Sequence, residues 1–173
     1  MKIAPPIRRT CLVILLLICA AAAQGVWANV IGISGARPDL VLITALLCSQ
    51  FCSAVEGALI GFGAGLLTAS LAAPFDGGFG SIVVSRTVVC FSVGWLEERV
   101  FRDNAAIAMA LVSGGTLLAE SMFYAFDPHF PAAAWARGVA LETAYNLSLS
   151  LPVFLIVRLC LRTRRVSGAG TVS

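Results

Sequence analysis

Polar side chains in the middle of long apolar stretches are the residues of this sequence that could do chemistry. Four lie well away from the ends of their stretches: Arg86, Glu120, Glu142 and Asn146. Charged groups are costly at bilayer depth and usually face a bundle interior or a water-filled cavity. These four residues could form a pathway for protons or a substrate, or a docking site for a partner. We favour an internal clasp that fixes helix packing, because a proton relay needs more titratable groups along one route.

One arginine against two glutamates predicts a buried ion pair. Either Glu120 or Glu142 could neutralise Arg86, and the sequence leaves the choice of partner open. Glu142 and Asn146 are four residues apart, so they share one face of a helix. We therefore expect Asn146 to assist the ion pair as a neutral hydrogen-bonding group.

Cysteines are the other side chains that could bind a ligand. Cys48 and Cys52 lie one helical turn apart, but no histidine accompanies them, and His129 falls in a predicted loop. We predict no metal and no cofactor, and interpret the cysteines as small, polarisable residues of membrane helices. No Gly-rich loop precedes a lysine as in a phosphate-binding motif. We therefore expect no catalytic residues and no enzymatic activity.

Composition indicates which elements position these residues. The chain of 173 residues is 59% hydrophobic and only 12% charged, against about 25% charged in soluble domains. A helix of roughly 20 apolar residues crosses the bilayer core, and the sequence predicts an all-α polytopic membrane bundle of about six such helices. The predicted helices are 10–27, 39–53, 54–73, 79–97, 105–126 and 135–159. The second and third share one apolar run, so a five-span alternative with one re-entrant segment stays open.

The distribution of basic residues predicts the orientation. Nine of the twelve Lys and Arg residues fall on the side of the N-terminus if six helices cross the membrane, and this bias marks the cytoplasmic side. We predict that residues 1–165 form one transmembrane domain with both termini cytoplasmic, and that 166–173 is a short disordered tail. The segment Ala21-Ala22-Ala23 resembles a signal-peptide cleavage site, but apolar residues continue to Trp27, which favours a retained helix. The bilayer is thus the expected environment, and no folded basic surface suggests nucleic-acid binding.

Two further patterns concern helix packing. Gly57, Gly61 and Gly65 recur every four residues, and tandem small residues let another helix approach closely. We expect an internal seam, with a partner's helix as the alternative. Pro152 removes a backbone donor from the sixth helix and predicts a kink there, with Ser148 or Asn146 satisfying the freed carbonyl.

The order of these features resembles the rod shape-determining protein MreD family. The matching residues begin with Pro38-Asp39-Leu40 and continue through the glycine-rich segment 57–67. A short turn at 99–104 and Glu120 follow, and the sixth helix supplies Glu142, Asn146, Pro152 and a basic end at Arg158 and Arg162. The chain departs from the family in two segments. The turn 48–53 is uncharged, and Thr68-Ala69-Ser70 stands where the family often has an acidic residue.

The resemblance implies a non-enzymatic component of the cell-elongation machinery in the bacterial inner membrane. It implies binding to MreC, a single-span protein, and through MreC a link to the cytoskeletal MreB and to peptidoglycan synthases. It also implies a fold like that of the substrate-binding subunits of energy-coupling-factor transporters. That likeness leaves a small-molecule-binding subunit as an alternative function.

Overall fold

The computed structural model describes residues 6–31, 37–71, 78–97, 104–126, 128 and 131–161. The described residues form six α-helices and no strand, which confirms the predicted all-α polytopic bundle. The helices are α1 (Pro6–Ile31), α2 (Leu40–Ser49), α3 (Ala54–Leu71), α4 (Phe79–Glu97), α5 (Ala105–Phe126) and α6 (Ala132–Leu161). The predicted tail 166–173, the turn 99–103 and His129 lie outside the described residues.

Helix α2 is shorter than the sequence predicted. We expected a helix over 39–53, but α2 has ten residues, which is about 15 Å of helix and half of the hydrocarbon core. The other five helices are long and apolar enough to span a membrane. Its start lies within one residue of the prediction, where the Asp39 side chain caps the N-terminus. Its end comes four residues early, because after Ser49 the chain turns through Gln50–Cys52 towards α3.

Helix α2 occupies the centre of the bundle. Each of the five other helices packs against it, and every residue of its segment 41–49 is buried. A helix that is apolar all round is typical of such a fully enclosed position. By contrast, the long helices expose large apolar side chains such as Leu59 and Leu159. These exposed side chains form the surface that faces lipid in a multi-pass membrane protein.

The glycine seam lies within the chain, as expected, and its partner is α4. A Cβ atom added to Gly61 would lie 2.7 Å from Cys90 Cβ, and one added to Gly65 would lie 2.7 Å from Val83 Cα. Gly57 likewise meets the Cys90 carbonyl. Such short separations leave no room for a side chain, so the two backbones pack directly against each other.

The start of α1 and the end of α6 lie at the same end of the bundle. Arg9 Nη2 donates a hydrogen bond to the Phe51 carbonyl and lies 3.6 Å from Glu56 Oε2. The Phe51 ring stacks on Phe154, with centroids 6.4 Å apart. The turn between α2 and α3 therefore contacts both the first turns of α1 and the last turns of α6. An even number of membrane crossings, as predicted from the sequence, is compatible with this arrangement.

Pro152 lies inside α6 with its side chain exposed. Of the two side chains predicted to satisfy the freed carbonyl, Ser148 Oγ instead donates to the Ala144 carbonyl at 2.9 Å. Asn146 bonds to other elements, as described below. The predicted local compensation was therefore wrong, because both side chains have stronger partners elsewhere.

Candidate functional site

The first turn of α2 begins inside the bundle, where its free backbone N–H groups need protein partners. Asp39 Oδ1 accepts from Leu42 N at 2.9 Å, and Gln24 Oε1 of α1 accepts from Val41 N at 3.0 Å. Asn146 Oδ1 of α6 accepts from Asp39 N at 3.0 Å. In a bilayer no water replaces a missing partner, so these three side chains make the deep helix start possible.

The centre of the site is an ion pair between Asp39 and Arg86 of α4. Arg86 Nη2 donates to Asp39 Oδ2 at 2.6 Å, and both side chains are less than a tenth exposed. Glu120 Oε1 of α5 lies 3.7 Å from the same Nη2 atom. That separation is an ion pair without a hydrogen bond. Asp39 is therefore the principal partner of Arg86.

Asn146 connects the ion pair to α5. Its Nδ2 atom donates to Thr116 Oγ1 at 3.1 Å, while its Oδ1 atom accepts from Asp39 N. Both Asn146 and Thr116 are fully buried. The amide thus fixes side chains of α5 and α6 against the backbone at the start of α2.

We expected Glu120, Glu142 or both to pair with Arg86. Glu120 lies 3.7 Å from Arg86, whereas no ion pair between Arg86 and Glu142 occurs within 4.0 Å among the described residues. The shorter contact, with Asp39, was not predicted, because Asp39 stands at the start of the apolar run and not inside it. Its signal was present as an N-cap residue directly before an apolar run.

A cavity of about 460 Å³ opens beside the ion pair, at the end of the bundle opposite Arg9 and Phe51. We call it the Arg86 cavity. The non-helical segment before α2 forms part of its wall, which is where irregular backbone at membrane depth is tolerated. The polar lining residues are Gln24, Arg37, Asp39, Thr68, Arg86, Glu120 and Glu142. The cavity therefore brings all three predicted charged residues together and adds two that were not predicted.

The chemistry available here is charge recognition and charge pairing. No group of three or more His, Cys, Asp or Glu side chains among the described residues is placed to hold a metal ion. Cys48, Cys52 and Cys90 are buried and do not line the cavity. The site consists of the Asp39–Arg86 ion pair, with Glu120 beside it and the Glu142 carboxylate on the cavity wall.

Comparison with known proteins gave no match to a family model, to a curated protein or to a solved structure.

Proposed function

We propose that this protein is a non-enzymatic scaffold of the MreD kind in the bacterial inner membrane, with both termini cytoplasmic. It binds MreC and through MreC associates with MreB and peptidoglycan synthases. The proposal rests on the residues that resemble the MreD family, which coincide with the residues that build the centre of the bundle. Pro38-Asp39-Leu40 forms the entry to α2, and the recurring glycines close α3 onto α4.

The state of the buried charges supports a scaffold over a pump. Arg86 is held by Asp39 at 2.6 Å and by Glu120 at 3.7 Å. A proton pathway needs titratable groups spaced along one route across the membrane, whereas the titratable groups around Arg86 share one cavity at one end of the bundle. Here the main charges stabilise one arrangement of α2, α4 and α5, which gives partners a fixed helix surface.

Co-purification tests the scaffold. We expect the tagged chain, expressed with MreC and solubilised in mild detergent, to retain MreC at near-equal amounts. Asp39→Asn should reduce this retention in proportion to the loss of folded protein. Gly63→Ala serves as the matched control, because nothing lies within 4 Å of a Cβ at that position. Failure of the wild-type chain to retain MreC, at wild-type folding, would refute the proposal.

The Arg86 cavity favours one second candidate, a small-molecule-binding subunit of an energy-coupling-factor type transporter. Its volume of about 460 Å³ falls in the usual range for ligand sites, about 300–1,000 Å³. The two candidates differ in their partners. A transporter subunit co-purifies with ATP-hydrolysing and coupling subunits instead of MreC. Mass spectrometry of the proteins that co-purify with the tagged chain therefore distinguishes the two candidates.

A further inference from the structure

The charges that line the Arg86 cavity do not balance within its wall. Three carboxylates and two guanidinium groups line it: Asp39, Glu120, Glu142, Arg37 and Arg86. Arg86 is engaged by Asp39 and Glu120. Glu142 is partly buried, lines the cavity and has no ion pair with any described residue, so no cation among those residues neutralises its carboxylate.

The cavity also offers hydrogen-bond donors. Arg86 Nε is buried and has no hydrogen-bond partner among the described residues, and the Arg86 side chain is only 6% exposed. Arg37 is exposed and lines the cavity at the residue where the described chain resumes before α2. Its guanidinium has the planar fork of donors that matches phosphate and carboxylate groups. A ligand that suits this wall therefore carries a cationic donor and an anionic acceptor together.

We propose that the Arg86 cavity binds a primary ammonium group joined by a short stem to a phosphate, with the ammonium on Glu142 and the phosphate on Arg37. This is the chemistry of phosphoethanolamine. It can come from the headgroup of a phosphatidylethanolamine lipid or from the free molecule. Such binding goes beyond the scaffold role and is independent of it.

A primary ammonium fits this wall better than other cations. It carries a single charge and three donors, so it can bond Glu142 and still leave the Asp39–Arg86 pair intact. A divalent metal ion would meet the Arg86 guanidinium close by, and that charge lowers its affinity. A quaternary ammonium has no donor for the carboxylate. The wall therefore selects by hydrogen bonding as well as by charge.

Binding is tested on the full chain in nanodiscs of phosphatidylglycerol. Free phosphoethanolamine and phosphocholine are titrated by calorimetry, and a second preparation with phosphatidylethanolamine is analysed by native mass spectrometry for retained lipid. The variants are Glu142→Gln and Arg37→Gln. Glu56→Gln is the matched control, since Glu56 lies at the other end of the bundle beside Arg9. Unfolding temperatures without ligand show that each variant is folded.

We expect Glu142→Gln and Arg37→Gln each to weaken binding at least tenfold, while Glu56→Gln binds like wild type. Phosphocholine should bind at least tenfold more weakly than phosphoethanolamine. Binding of free phosphoethanolamine identifies the headgroup as sufficient, and retention of the lipid alone identifies the membrane as the source. The proposal is overturned if the wild-type chain binds neither form, if Glu142→Gln binds equally well, or if phosphocholine binds as tightly. Should Glu142→Gln fail to fold, unchanged binding by the exposed Arg37→Gln variant overturns it.

Discussion

Replacing Asp39 should destabilise the bundle more than replacing either glutamate near Arg86. Asp39→Asn removes the charge that lies 2.6 Å from Arg86 Nη2 but keeps an oxygen that can cap α2. Removing one partner of a buried ion pair costs roughly 3–5 kcal/mol. Asp39→Ala also removes the hydrogen bond to Leu42 N, and loss of an N-cap adds about 1 kcal/mol. The alanine variant should therefore be the less stable of the two.

The same geometry predicts a smaller effect at Glu120. Its carboxylate is 3.7 Å from Arg86, makes no hydrogen bond to it, and is more exposed than that of Asp39. The partly exposed pair between Glu120 and Arg86 should have an energy like that of a surface ion pair. Glu120→Gln should therefore cost about 1 kcal/mol. The order of decreasing destabilisation, Asp39→Ala, Asp39→Asn, Glu120→Gln, follows from the distance and burial of each carboxylate and from the N-cap hydrogen bond of Asp39.

A double-mutant cycle measures the pairing directly. The free energies of unfolding of Asp39→Asn, Arg86→Met and the double variant are determined by denaturant titration in mixed micelles. Contacting charged residues give coupling energies of about 0.5–3 kcal/mol, and we expect the upper half of that range here. The double variant should recover much of the loss, because it leaves no buried charge without a partner. Coupling below about 0.5 kcal/mol, with Asp39→Asn as stable as wild type, would show that Arg86 reaches water by another route.

Three further predictions concern packing and orientation. Gly61→Ala forces α3 away from α4 and should cost about 1–3 kcal/mol, whereas Gly63→Ala, with nothing within 4 Å, should be neutral or gain up to about 1 kcal/mol; equal stability of the two variants in thermal unfolding would place the seam elsewhere. Asn146→Leu leaves Asp39 N and Thr116 without their partner and should lower the unfolding free energy by about 1–3 kcal/mol; an unchanged value would mean that water or another group replaces the amide. Reporter fusions after Pro131 should be periplasmic and fusions after Arg165 cytoplasmic, and the reverse signals would contradict the proposed topology.

The sequence predicted the helices whose ends coincide with a change in composition. Helices α4 and α5 match their predicted ranges because polar turns bound them on both sides. The glycine spacing of α3 also predicted a close seam, although spacing alone cannot name the helix on the other side. These features depend on local chemistry that a single stretch of sequence contains.

Features that depend on distant residues were not predictable in the same way. The N-terminal turn of α2 is capped by Asp39, Gln24 and Asn146, which belong to three different segments. The contact between Arg86 and Asp39 was not predicted, because the two residues are 47 positions apart and Asp39 stands at the start of its apolar run. Only the fold shows that the start of α2 lies inside the bundle.

The distance along the chain between the caps of α2 has a consequence for synthesis. A ten-residue helix is too short to be recognised as an independent span during insertion, so α2 enters the bilayer with α3, to which the short turn at 50–53 connects it. Its N-terminus then waits for Asn146, 107 positions later. Ribosomes add about 5–20 residues per second, so the start of α2 stays incompletely capped for roughly 5–20 s. During that interval only Gln24 and Asp39, which are already synthesised, can cap the helix.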